Sequence, residues 1–150
     1  LPGLIGLSRM ERLYDQMRQA QEEYRRKQEV LFELSRSFFF TSVVIRDFLL
    51  DTADANDRYY LDELQQYREN VEQQLVSLEA SASGWEEQTY RRLRQETDRY
   101  WSFVLPVFRW PPEQRREQGT YFLRDEHRPR RKTILSIADE IRRLNTDLYE

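Results

Sequence analysis

Few residues of this 150-residue chain have the types and spacing that enzyme chemistry needs. The chain has one histidine, His127, and no cysteine, which excludes a thiolate nucleophile, a zinc–thiolate site and a disulfide framework. A di-iron helical bundle needs Glu-x-x-His on each of two helices, which one histidine cannot supply. Adjacent carboxylates such as Glu22 and Glu23 point about 100° apart on a helix, so they form no acid–base pair. We therefore predict a domain with no catalytic activity, no metal and no cofactor.

Arg46 is the strongest candidate for binding chemistry. It lies beside Asp47 within the otherwise apolar run of residues 43–50, where an arginine needs a carboxylate partner. That partner is either an acidic residue of another helix, which we favour, or an anionic ligand held by a bidentate guanidinium contact. If a small ligand binds, we expect an anion that contacts Arg46 from a pocket between helices. Tyr60 or Trp101 should then be nearby, because a proline break close to Trp101 is a place where a bundle can open.

A second group of cations surrounds Pro129. Its members are Arg124, Arg128, Arg130, Arg131 and Lys132. They could form an anion or phosphate site, or a solvated face paired with acidic residues of a neighbouring helix, which we favour. The whole chain has 24 basic and 27 acidic residues and a net charge of −3. Because this charge gives no attractive field for polyanions, we predict no nucleic-acid partner.

Helices must position these residues, because apolar side chains recur every three to four positions along most of the chain. The longest series covers residues 7–52 without proline or glycine. It predicts one helix of roughly 70 Å. Asp and Asn residues at 51–57 indicate a turn. A second helix is predicted over residues 58–80, and Gly84 follows its end.

The second half of the chain is divided by prolines. A third helix is predicted to begin at Trp85, to kink at Pro106 and to stop at residues 110–112, which read Trp-Pro-Pro. A fourth helical segment is predicted over residues 113–150. Pro129 should bend or divide it, because proline opposes an interior helical hydrogen bond.

These lengths predict an all-α fold in which residues 1–150 form a single up-down-up-down four-helix bundle with long first and last helices. Short connections favour antiparallel neighbours, and the two long helices should overhang the same end. The first helix also carries polar residues within its apolar seam, at Gln21, Gln28, Ser35 and Ser42. Polar seam residues fix register and can be satisfied across a partner helix. We therefore predict a weak homodimer with the first or fourth helix at its interface.

Two stretches resemble a known protein family. One is IRDFLL at residues 45–50, late in the first helix, and the other is RPRRKTILSIADEIRRLN at residues 128–145. With the layout of the whole chain, they resemble the extracytoplasmic four-helix-bundle sensor domain of bacterial sensor histidine kinases and methyl-accepting chemotaxis receptors. The resemblance implies paired bundles whose first and last helices continue into transmembrane helices. It also places Arg46 in a region where such receptors often have ligand-contacting arginines.

The expected function is that of an extracytoplasmic, periplasmic sensor in two-component signal transduction, which signals by small helix shifts. Its partner would be a small anion or a periplasmic protein. No window reaches the ~18 consecutive apolar residues that span a bilayer, and the sequence opens with Leu-Pro-Gly. We therefore expect a fragment taken from between two transmembrane helices. The alternative is a cytoplasmic coiled-coil adaptor without a small ligand.

Overall fold

The computed structural model describes residues 2–149, and every regular element in that range is helical, without strands. The α-helices are α1 (Pro2–Leu50), α2 (Asp57–Ala80), α3 (Trp85–Val104), α4 (Pro112–Tyr121) and α5 (Arg128–Tyr149). The predicted all-α class is confirmed. The predicted starts of the second and third helices agree with α2 and α3 to within one residue.

Glycine and proline set the connections between these helices. Gly84 has a positive φ of 59° immediately before α3, a conformation that side chains other than glycine rarely adopt. Pro106 lies in a 3₁₀ turn, Leu105–Arg109, which ends α3. Pro112 is the first residue of α4, where its missing amide proton has no helical partner to lose.

The fourth helical segment contains an irregular turn where a proline was predicted to divide it. α4 passes without a break into a π-helical turn, Phe122–His127, and then into α5. Pro129 lacks the amide proton that the carbonyl of Asp125 would accept in a regular helix. The π turn ends at His127, two residues before Pro129, so the regular hydrogen-bond pattern is interrupted next to this missing bond.

α1 is the central element of the fold. It packs against α2, α4 and α5, and α3 packs against α2 and α5. The buried apolar residues of α1 are Leu31, Leu34, Phe38, Val44, Ile45, Phe48 and Leu49. They meet residues from the predicted stripes of the other helices, among them Leu64, Val71, Leu75, Leu93, Tyr100, Ile134, Ile137 and Ile141. Only the second half of α1 therefore contributes to the core.

The first half of α1 extends beyond its neighbours. Every side chain from residue 3 to residue 19 is exposed. α5 reaches α1 at Tyr24, whose hydroxyl shares a 3.1 Å hydrogen bond with the hydroxyl of Thr146. The α2–α3 connection reaches it at Arg26, which donates to Ser81 over 2.7 Å. α1 thus continues alone for roughly 30 Å, whereas α5 continues only to Tyr149 among the described residues.

Candidate anion-binding pocket

A cavity of about 320 Å³ opens between α1 and the region where the π turn enters α5. It is lined by Phe39, Ser42, Val43, Arg46, Leu123, His127, Arg128 and Arg131. The α1 residues share one face because they are three or four positions apart, and Arg128 and Arg131 share a face of α5 for the same reason. Two helices that are distant in sequence therefore contribute three arginine residues to the lining of one cavity.

Arg46 is exposed rather than embedded in the core. Its side chain is 60% exposed, and its Nε lies 3.7 Å from Oδ1 of the adjacent Asp47. One position separates Arg46 from the buried Ile45, which turns it about 100° away from the core on a helix. The favoured expectation, an ion pair with an acidic residue of another helix, is therefore wrong for the described part of the chain.

The cations around Pro129 also lack the inter-helix pairing that we favoured from the sequence. Arg124 pairs with its neighbour Asp125 over 2.9 Å. The guanidinium carbon of Arg130 lies 4.1 Å above the ring of Phe103. Neither Arg128 nor Arg131 forms an ion pair with any residue between positions 2 and 149. The pocket thus has three cationic residues and no carboxylate in its lining.

A buried neutral pair lies beneath these arginines. His127 is 2% exposed, and its Nε2 is 2.8 Å from the hydroxyl of Tyr100. Burial, reinforced by the positive charge of Arg131, lowers the pKa of His127 to about 4. Burial also raises the pKa of the Tyr100 hydroxyl well above its usual range. At neutral pH both groups are therefore uncharged, and the arginines alone set the charge of the pocket.

The structure does not bring Tyr60 to the pocket of Arg46. The Tyr60 hydroxyl donates to Oδ2 of Asp51 over 2.9 Å, and its ring packs edge-on against Phe48. Asp51 also accepts from the backbone amide of Ala53 over 2.9 Å. Tyr60 therefore stabilises the turn between α1 and α2.

Trp101 likewise lies outside the pocket. It is 5% exposed and stacks on Phe38 with ring centroids 6.2 Å apart. The guanidinium carbon of Arg68 lies 6.0 Å from the centroid of the Trp101 ring. A ligand was predicted to contact Arg46 with Tyr60 or Trp101 nearby, and of these residues only Arg46 lines this cavity. Sequence reasoning placed Arg128 and Arg131 in a basic cluster but did not connect them to Arg46.

A second cavity of about 340 Å³ continues the groove between α1 and α5. It is lined by Leu31, Phe32, Ser35, Leu135, Ala138, Asp139 and Arg142. Here the charged side chains satisfy each other, because Arg142 donates to the carboxylate of Asp139. The amide nitrogen of the seam residue Gln28 donates to Thr146 over 3.1 Å, whereas its buried Oε1 has no hydrogen-bond partner among the described residues. Of these two cavities, only the first therefore combines several arginines with a lining that has no carboxylate.

Across residues 2–149, no three or more His, Asp or Glu side chains are arranged to hold a metal ion. No helix in the same part of the chain is both long and apolar enough to cross a membrane.

No protein-family model matches the chain, and neither a characterised protein sequence nor a solved structure is significantly similar to it. A function must therefore be argued from the geometry of the site, since a helical fold by itself hosts many functions.

Proposed function

We propose that this chain is the extracytoplasmic, periplasmic sensor domain of a membrane-bound histidine kinase in two-component signal transduction. The observation that carries the proposal is the cationic pocket, in which Arg46 of α1 faces Arg128 and Arg131 of α5. An anion held there interacts with both helices at once. It therefore favours the relative helix position in which all three contacts are best, and this differential affinity is what shifts a conformational equilibrium.

In this proposal the segments run up-down-up-down, with α4, the π turn and α5 together forming the fourth helix. The packing of α1 on α2 and α5, and of α3 on α2 and α5, supports this arrangement. Displacements of roughly 1–2 Å between packed helices are an established way to transmit a signal. α1 leaves the bundle as a continuous helix, so a displacement at the pocket is carried along a stiff rod toward a flanking transmembrane helix.

The proposal includes a weak homodimer formed through residues 3–19 of α1, whose side chains are all exposed. Seven large apolar side chains in this segment are exposed: Leu4, Ile5, Leu7, Met10, Leu13, Tyr14 and Met17. Exposed apolar surface of this kind marks an interaction site. Membrane anchors would raise the effective concentration of the two copies. Sedimentation equilibrium should show dimers at high concentration, and a monomer even at millimolar concentration would contradict this part of the proposal.

Helix displacement can be tested by distance measurement, because the chain has no cysteine of its own. Spin labels at Arg25→Cys on α1 and Asp147→Cys on α5 would report on the end where α1 leaves the bundle; both positions are exposed. A bound organic anion should shift the distance distribution by roughly 1–2 Å. An unchanged distribution with the pocket saturated would contradict signalling by displacement.

A cytoplasmic coiled-coil adaptor without a small ligand is the second candidate, and the exposed apolar stripe of α1 is the observation that favours it. The two functions predict different flanking sequences: transmembrane segments on both sides support the sensor, and polar flanks support the adaptor. They also predict different accessibility in cells. In the full-length protein, a membrane-impermeant thiol reagent should label Arg25→Cys in intact cells only if the domain is extracytoplasmic.

A further inference from the structure

We propose that the pocket binds a compact organic dianion with an apolar body, which bridges Arg46 of α1 to Arg128 and Arg131 of α5. This inference rests on the proposed sensor function and specifies the class of ligand that the sensor would detect. It follows from two properties of the lining, its charge and its apolar walls.

The net charge of the lining favours a ligand with two negative charges. Three arginine residues line the cavity, and within residues 2–149 the only carboxylate paired with any of them is that of Asp47, 3.7 Å from Arg46. His127 contributes no charge at neutral pH because it is buried and bonded to Tyr100. Three positive charges and one negative charge leave two to be neutralised. A monoanion would leave one arginine without a partner, whereas a dianion can contact both helices.

The apolar residues of the lining favour a ligand that has an apolar body between its anionic groups. Phe39, Val43 and Leu123 line it together with the arginines. Phe39 is 60% exposed, so a flat apolar ligand could cover its ring and remove apolar surface from water. Guanidinium planes also stack on aromatic groups, which a ring-bearing anion provides. A hydrated inorganic ion gains none of these contacts.

The size and boundary of the site favour a small molecule over an extended one. A volume of about 320 Å³ is at the lower end of the range for small-molecule pockets. The neighbouring cavity along the groove has its own internal pair, Arg142 with Asp139. A ligand that extended into it would gain no free cation there.

Titration calorimetry with three probes at fixed ionic strength tests the ligand class. At a slightly alkaline pH, the probes are phthalate (an aromatic dicarboxylate), benzoate (the matching monocarboxylate) and inorganic phosphate, which is mostly a dianion at that pH and has no apolar body. Phthalate should bind roughly 10-fold or more tightly than benzoate, because a hydrogen bond to a charged group is worth about that factor. Phosphate should bind more weakly than phthalate. Equal binding of phthalate and benzoate, or tighter binding of phosphate, would overturn the proposal, as would no phthalate binding at millimolar concentration.

Single-residue variants locate the site. Arg46→Gln and Arg131→Gln should each weaken phthalate binding by roughly 10- to 100-fold. Arg124→Gln is the matched control, because it removes the same charge from an exposed position outside the cavity, where Arg124 pairs with Asp125. If all three variants weaken binding equally, the effect is one of overall charge and the assigned site is wrong.

The ligand class and the sensor function can fail separately. If phthalate binds as expected but the label distance between positions 25 and 147 does not change, the ligand class stands and the sensor function fails. If a monoanion or a neutral molecule changes that distance while phthalate does not bind, the sensor function stands and the ligand class fails.

Discussion

Arg115 and the arginines that line the pocket lie on either side of the second half of α1, and their surroundings differ in almost every respect. Arg115, on α4, is 2% exposed. It donates to the carbonyls of Trp110 and Asp51 over 2.9 and 3.0 Å and to both carboxylate oxygens of Asp57 over 2.9 Å. Its guanidinium carbon lies 3.8 Å above the ring of Phe48. The pocket arginines have no comparable partners, since Arg46 has a single carboxylate at 3.7 Å.

The comparison shows that hydrogen-bond partners distinguish an arginine that stabilises the fold from an arginine that is available to bind a ligand. A charge taken out of water is tolerated only when its hydrogen bonds are satisfied, and removing one member of such a set leaves the others buried and unpaired. Arg115 joins the α1–α2 turn to α4 in this way. Arg46, Arg128 and Arg131 remain solvated enough to need no internal partner. They therefore contribute little to folding and stay available to a ligand.

The largest expected effect is the loss of Arg115. Arg115→Met should lower the free energy of unfolding by about 4 kcal/mol, because it leaves the Asp57 carboxylate and two carbonyls without their donor. Urea denaturation monitored by circular dichroism measures this change. Arg116→Met, at the next and exposed position, is the control and should change stability by less than about 0.5 kcal/mol. If the two variants unfold at the same urea concentration, the assigned role of Arg115 is incorrect.

The helices could be predicted because helical periodicity is visible in consecutive residues. The surroundings of Arg115 and of the pocket arginines could not be predicted, because they depend on contacts between residues that are distant in sequence. Two of the three partners of Arg115, Asp57 and Asp51, lie 58 and 64 positions away, and no feature near Arg115 indicates them. Arg46 was predicted to be embedded because its neighbours are apolar, but a one-position offset from Ile45 turns it outward. The meeting of Arg46 with Arg131 depends on how α1 packs against α5, which helical periodicity does not encode.

A second buried cation extends the comparison to the other end of the bundle. The Nζ of Lys27 lies 2.8 and 3.0 Å from the two carboxylate oxygens of Glu86, and both residues are buried. Lys27→Met should lower the free energy of unfolding by about 3 kcal/mol, because it leaves Glu86 without its partner. Adding Glu86→Leu should recover most of this loss, since an apolar pair can replace a buried ion pair. A double variant less stable than Lys27→Met would contradict this account.

His127, which is buried beneath the pocket arginines, should make the stability of the protein depend on pH. The pKa of His127 is lowered to about 4 in the folded protein, against an ordinary value of about 6.5. As pH falls, the unfolded chain therefore takes up this proton first, and the folded state loses up to about 3 kcal/mol between pH 6.5 and 4. His127→Gln should remove this component. The test is the difference in unfolding free energy between the two proteins across that range, and a difference that does not vary with pH would refute the assignment.

The smallest expected effect is that of replacing the pocket arginines, which should hardly change the free energy of unfolding of the ligand-free protein. The double variant Arg46→Gln/Arg131→Gln should unfold within about 0.5 kcal/mol of the original chain. Any change should be a slight stabilisation at low salt, since the substitutions relieve repulsion among like charges that face one cavity. That gain should disappear near 1 M salt, where screening acts within about 3 Å. Thermal melts of both proteins at the two salt concentrations measure this. A clear loss of stability in the double variant would instead mean that these arginines support the fold as Arg115 does, and the pocket would lose its claim to be a binding site.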